Sequence, residues 1–363
     1  AYYWDRPLGA EGGLAFLFPG EGSQYPGMLA DLCPHFPEVR ALFDTADRLA
    51  RESGVMEPPS ERLFRPAAPA DPALWEPGTA VNVVLISQWA LFQLLLRVGL
   101  RPDAVAGHSS GEFLALVAAG AVPADRRLEE RFKELAALFA RLERSGAVPS
   151  ARLVVVAADR ARVESALGDE TGAVAVVVDN CPHQVVIAGP DEAVEAVVAR
   201  LRGAGVACED LPFARAYHAP AFAPALDPIR TFFEALAIEK PTLPLYSCCL
   251  AGRVADDPEA VRRLAVAQWT RTVEFRRTIE AMHADGLRLF VDVGARGNLA
   301  GFVEDTLRGR PAFAVAANLP RRSGLTQLNH LVASLFAQGL TLAPAFLYAR
   351  RRSQYIDLDA PPP

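Results

Sequence analysis

One stretch of the chain is built like an activated serine. Gly107-His108-Ser109-Ser110-Gly111 has the form G-x-S-x-G. A serine attacks a carbonyl only when its oxygen is exposed, a base takes its proton and donors await the oxyanion. A sharp turn between a strand and a helix meets the first need, and the flanking glycines remove bulk around it. The surroundings fit that turn: Ala104-Val105-Ala106 is a short apolar strand, and Phe113 to Ala119 reads as a helix stopped by Gly120. The backbone N–H of Ser110, at the helix start, then points to where negative charge would develop.

The base must come from six histidines, His35, His108, His183, His218, His283 and His330. His108 adjoins the serine, but neighbours at a sharp turn point in different directions. His218, in Ala216-Tyr217-His218-Ala219-Pro220, lies where the chain re-enters a larger unit from a smaller inserted one. A cleft between two units is where such a site forms. A second loop, Pro19-Gly20-Glu21-Gly22, follows the apolar run Leu14 to Phe18. Two glycines around one acidic residue let the backbone approach a ligand closely.

The elements that position these residues alternate between strand and helix. Helices are expected over 36–52, 79–98 and 126–145; the second is apolar on nearly all sides and belongs in a core. From 151 the pattern changes. Strands at 153–156, 174–178, 184–188 and 206–211 enclose helices at 160–167 and from Pro190 to near Gly203. This β-α-β-β-α-β order is the ferredoxin-like pattern. Further helices fall at 258–286, 298–307 and 323–339, with strands at 287–293 and 313–315. The fold class expected is α/β, with a large unit over 13–148 and 213–340 and an insert over 149–212. Residues 1–12 and 341–363 read as linkers. The chain does not begin with Met and ends in three prolines, which reads as a domain cut from a longer polypeptide.

Composition narrows the function classes. The chain has 363 residues, 51% apolar and 22% charged, with a net charge of -6, which is globular and a poor match to nucleic acid. The five cysteines, 33, 181, 208, 248 and 249, form no C-x-x-C pair, so neither a disulfide framework nor a zinc site is expected. No secretory signal and no uninterrupted apolar run of about 18 residues is present, so no membrane association and a cytoplasmic location are expected.

Four stretches together resemble malonyl-CoA:acyl carrier protein transacylases, in particular the acyltransferase domains of iterative type I polyketide synthases of the enediyne and polyunsaturated-fatty-acid kind. They are Phe18-Pro19-Gly20-Glu21-Gly22-Ser23-Gln24, Gly107 to Glu112, Tyr217-His218-Ala219-Pro220 and Val291-Asp292-Val293-Gly294. The resemblance implies an α/β-hydrolase-like large subdomain with a ferredoxin-like small subdomain. It implies a ping-pong transfer in which Ser109 is nucleophile and His218 base. The N–H groups of Glu21 and Ser110 would form the oxyanion hole, and His108, Asn180, Tyr217 and Arg131 would line the substrate. A backbone carbonyl would orient the histidine, expected here from the Gly294 to Asn298 loop. No bound cofactor or metal is implied; coenzyme A enters as the thioester substrate. The partners implied are the phosphopantetheine of an acyl carrier protein domain and neighbouring synthase domains. Arg350-Arg351-Arg352 is a candidate contact for an acidic carrier.

The chain departs from the family pattern in several places. Glu21 stands where the common form has Gln. A second family glutamine falls near Val81, with Asn82 as a substitute. The arginine that grips the malonate carboxylate falls by gapless spacing on Glu134, and Arg131, one helical turn away, is the expected replacement. Arg215 sits where many malonyl enzymes carry histidine. Tyr217, bulky beside the base, favours malonyl over methylmalonyl. Two other readings stay open at this point: transfer of a neutral acyl group, and hydrolysis of a thioester with Asp159, Asp169, Asp179 or Asp210 completing a triad. A degenerate domain kept as a scaffold is opposed by the presence of both Ser109 and His218.

Overall fold

The computed structural model describes residues 6–53, 57–65 and 72–349. The Arg350 to Arg352 run lies outside the described residues. In chain order the large unit begins with β1 (Gly13–Phe18), α1 (Pro37–Ser53), α2 (Pro59–Phe64), α3 (Pro77–Arg97), β2 (Ala104–Gly107), α4 (Glu112–Ala118) and α5 (Leu128–Arg144). The insert follows as β3 (Arg152–Val156), α6 (Arg160–Leu167), β4 (Ala175–Cys181), β5 (Gln184–Gly189), α7 (Asp191–Gly203) and β6 (Cys208–Asp210). The chain returns through α8 (Leu226–Ala235), β7 (Leu245–Ser247), β8 (Gly252–Arg253), α9 (Pro258–Ala267), α10 (Phe275–Ala284) and β9 (Leu287–Asp292). It then runs through α11 (Asn298–Thr306), β10 (Phe313–Ala316), α12 (Gly324–Ala337) and α13 (Ala345–Tyr348).

The large sheet has the order β10-β9-β1-β2-β7-β8, parallel except for β8. Such strands are buried on both faces, which is why β1 is a continuous apolar run; Leu14 to Phe18 are all buried. Phe16 and Phe18 pack edge-on against Phe92 of α3, with ring centroids 6.0 and 5.8 Å apart. The helix α3 is long and apolar enough to cross a membrane, but 83% of its apolar window is buried inside this fold. It is the core helix, packed against α1 and α5.

Strand order reverses at β1, which has β2 on one side and β9 on the other. Phe18 pairs with Gly107 and Leu17 with Asp292, so the carboxyl ends of the three strands finish level. In open parallel sheets ligands bind in the crevice outside such a reversal. The loops that leave these strands are the ones carrying Glu21, Ser109 and Gly294.

The insert is a four-stranded antiparallel sheet, β4-β5-β3-β6, with α6 and α7 sealing a core that includes Val154, Val163, Ile187, Val194 and Val198. Its β4 edge joins the large unit through Asp179 N–H to the Val273 carbonyl and Val273 N–H to the Val177 carbonyl, each 2.9 Å. Both stretches read as linkers pack on the large unit in part. Leu8 is buried and its N–H donates to Gln338 Oε1 at 3.0 Å, while Phe346 stacks on Phe36 at 6.0 Å. Apolar side chains there are the physical reason.

Candidate active site

Ser109 sits at the turn between β2 and α4 with φ of 56°, a left-handed conformation that costs a non-glycine residue energy. Close packing enforces it. A Cβ at Gly107 would lie 2.2 Å from Glu112 Cα, and one at Gly111 would lie 2.0 Å from the Phe18 carbonyl oxygen. Only glycine lets β1, β2 and α4 meet so closely. Glu112 is buried and accepts from Ser247 Oγ at 2.6 Å and Cys248 N–H at 3.0 Å, which fixes α4 to β7. Burial pushes its carboxyl up to about 7.

The histidine arrives from the far side of the insert. Ser109 Oγ lies 2.6 Å from His218 Nε2. His218 Nδ1 lies 3.0 Å from the Gln268 carbonyl oxygen, which can only accept. Nδ1 therefore carries the proton, and Nε2 has a lone pair for the serine hydroxyl. The His218 backbone also has positive φ, 61°, and its N–H donates to the Trp269 carbonyl at 2.9 Å. The Trp269 ring stacks on the imidazole, 11° from parallel at 6.0 Å. Burial lowers the imidazole to about 4, so the ring is neutral near pH 7. The orienting carbonyl thus comes from Gln268 and not from the Gly294 to Asn298 loop. The run 258–286, expected as helix, breaks after α9 into a turn at Gln268–Thr270, and that break presents the carbonyl. The Gly294 loop instead anchors α11, because the buried Asp292 accepts from the N–H groups of Gly294 at 2.9 Å and Leu299 at 3.0 Å. With a main-chain carbonyl on Nδ1, the histidine has no carboxylate there. Asp179 pairs with Arg276, Asp210 with Arg152, and Asp159 caps α6.

The loop after β1 closes over the serine. A Cβ at Gly20 would stand 3.0 Å from Ser109 Cβ, and the Glu21 N–H donates to Ser110 Oγ at 3.0 Å. The Glu21 carboxylate points away, to Arg215, whose Nη1 lies 2.5 Å from its Oε1. These two departures from the family pattern are therefore partners.

The remaining expected site residues divide. Ser109, His218, His108, Asn180, Tyr217 and Glu21 all line one cleft of 560 Å³, shared by the large unit and the insert. His108 Nε2 is 2.8 Å from Asn180 Oδ1, and Asn180 Nδ2 donates to Gln184 at 2.9 Å, so β4 of the insert is tied to the serine turn. Arg131 is not among the lining residues. Its guanidinium forms a two-point pair with Asp125, at 2.9 and 3.1 Å, and donates to the Pro123 carbonyl at 2.8 Å. That pairing holds it at the start of α5, and the expectation that it lines the substrate is corrected. Glu134 is exposed. Asn82 is buried outside the cleft; it is Gln88, further along α3, that donates to the Pro19 carbonyl at the edge of the site. Sequence reading missed Gln268, Trp269 and Arg296. Arg296 lines the cleft with two donors on the Gln24 carbonyl, and among the described residues it makes no ion pair.

The acyl transferase domain model matches residues 15–341. Spectinabilin polyketide synthase system protein NorB of Streptomyces orinoci is 30% identical over 351 residues, 92% of this chain and 15% of that protein. The chain thus spans a small part of the synthase it matches. The malonyl CoA-acyl carrier protein transacylase of Bacillus subtilis is 29% identical over 308 residues, 84% of this chain and 93% of that protein. The solved acyltransferase domain from the second module of the salinomycin polyketide synthase superposes with a TM-score of 0.79 at 29% identity, covering 96% of this chain and 78% of that one. With an elbow serine, a histidine held by a main-chain carbonyl and a ferredoxin-like insert closing the cleft, the chain belongs to the acyl transferase domain family.

Proposed function

We propose that this chain moves a malonyl-type acyl group from coenzyme A to the phosphopantetheine thiol of an acyl carrier protein, through an ester on Ser109. The observation that carries the reading is the 2.6 Å contact between Ser109 Oγ and His218 Nε2, with Nδ1 fixed by the Gln268 carbonyl. In the first half-reaction Oγ attacks the thioester carbonyl while its proton passes to Nε2. The N–H groups of Glu21 and Ser110 stabilise the oxyanion, and Ser110 Oγ must turn off the Glu21 N–H to admit it. The coenzyme A thiolate leaves with the proton from Nε2. In the second half the carrier thiol gives its proton to Nε2 and attacks the ester carbonyl; the acyl C–O bond breaks and Ser109 Oγ takes the proton back from Nε2. His108, Asn180 and Tyr217 line the path of the acyl-pantetheine arm. The reading places the chain in the cytoplasm, within a longer synthase whose other domains supply the carrier.

A specific observation favours a second choice of acyl group. The cation expected to hold a malonate carboxylate is engaged by Asp125, and Tyr217, Phe139, Phe222 and Trp269 form one aromatic cluster beside His218. A neutral acyl group would need no cationic anchor. Loading of a holo carrier protein from malonyl-, methylmalonyl- and acetyl-CoA, followed by mass spectrometry, decides between them. Carrier loading with malonyl in preference to acetyl supports the proposal. Preference for acetyl transfers it to the neutral class. Release to water that the carrier does not suppress contradicts transfer altogether.

A further inference from the structure

We infer that Arg215 is a positioning residue for the reaction at Ser109: by neutralising the buried Glu21 carboxylate it keeps the Glu21 N–H fit to receive an oxyanion. The inference rests on the acyl-serine reading above. Glu21 carries both an N–H aimed at the serine turn and a carboxylate on the same short loop. Its side chain is only 7% exposed, so water screens the carboxylate poorly. An anion so placed opposes a second negative charge developing on the thioester oxygen. Burial holds the Glu21 carboxyl above its ordinary value; Arg215 opposes that rise, which would be larger without it.

The surroundings of Arg215 suit this role. Its side chain is 6% exposed and its planar fork meets three groups: Glu21 through Nη1, Glu143 Oε2 through Nε at 3.1 Å and the Trp75 carbonyl through Nη2 at 2.7 Å. It also lies over the rings of Phe213 and Tyr217, 5.3 and 5.9 Å from their centroids. One guanidinium thus joins the loop after β1, the end of α5 and the segment that runs through Tyr217 into His218. The oxyanion donor and the base are held in register by a single side chain. A substrate anion finds this cation already shared between two carboxylates and a carbonyl, so its role is to fix the site rather than to bind malonate.

The experiment measures the rate of acyl-serine formation by intact mass, as a function of malonyl-CoA concentration, in the whole chain and in Arg215→Met, Glu21→Gln, the double variant and Arg215→Lys. Arg215→Met is expected to lower the limiting acylation rate by about 10²–10³-fold, the scale of a lost oxyanion donor, with little change in half-saturation. At alkaline pH, where the buried Glu21 carboxyl of Arg215→Met is still ionised, removing the carboxylate as well should restore at least about tenfold of that loss, and the recovery should shrink as pH falls and Glu21 protonates. A merely structural tie predicts no such recovery. The inference is overturned if Arg215→Met acylates at the wild-type rate, or if the double variant is no faster than Arg215→Met at alkaline pH. Thermal unfolding accompanies each variant. Should Arg215→Met fail to fold, the double variant and Arg215→Lys decide: both within about tenfold of wild type supports the inference, and a fall of about 10²-fold in both overturns it. A wild type that forms no acyl-serine with malonyl-, methylmalonyl- or acetyl-CoA defeats the reading of function instead, which keeps the two failures apart.

Discussion

Two arginine-bearing regions of this molecule meet opposite fates. The segment 212–218 folds into the cleft, and its Arg215 is stripped of water, shared by Glu21 and Glu143 and laid over two aromatic rings. The approach to α5, residues 123–131, stays at the edge, and its Arg131 closes on Asp125, which is 47% exposed. Both arginines stand near positions where the family resemblance places a group that matters to substrate. What separates them is the partner each finds. A buried carboxylate such as Glu21 needs a cation and draws one inward, whereas a half-exposed carboxylate offers a local pair that leaves the cleft without its expected anchor. The charge that the family resemblance assigns to substrate, at Arg131, is here held within the fold by Asp125.

The largest expected effect falls in the first region. His218→Ala should lower Ser109 acylation by about 10⁴-fold or more, the scale seen when a nucleophile loses its base. Quenched-flow mass spectrometry would read it, and a loss below about tenfold would remove His218 from the reaction. The same histidine sharpens the comparison through pH. Burial lowers it to about 4, so its neutral form persists across the ordinary titration range of histidine. The acylation rate should stay flat as pH falls through 6.5 and decline only on approach to 4. The folded value lies below the unfolded one, so the stability contribution is full above pH 6.5 and is lost as pH falls from there through about 4. An inflection in the rate near 6.5 would mean that the imidazole is hydrated.

The smallest effect belongs to the second region. Arg131→Ala should lower the unfolding temperature only modestly, through loss of the Asp125 pair and the Pro123 carbonyl bond. It should leave the ratio of malonyl to acetyl transfer unchanged. A fall of that ratio toward one would break the contrast between the two regions and return Arg131 to the substrate.

Much of the site was legible because it depends on residue type in a local frame. G-x-S-x-G between an apolar strand and a helix demands the elbow, and Ser109 takes the positive φ that such a turn requires. The β-α-β-β-α-β periodicity located the insert, and with it the point where the chain returns at His218. The carbonyl on His218 was not legible, because any residue supplies one. Its place is set by where α9 stops, and Gln268-Trp269-Thr270 carries no glycine or proline to mark a stop. The partnership of Glu21 and Arg215 spans 194 positions, so each departure could be noticed and their pairing could not. Arg131 failed for a local reason of another kind: the residue that captures it, Asp125, lies in an irregular approach to the helix, where helical spacing does not apply.

Peptide mapping by tandem mass spectrometry after brief incubation with acyl-CoA tests the central claim most directly. The account predicts one acyl ester, on Ser109, discharged by a holo carrier protein and absent from Ser109→Ala. An acyl group found on another residue, or an undiminished adduct in Ser109→Ala, would contradict it.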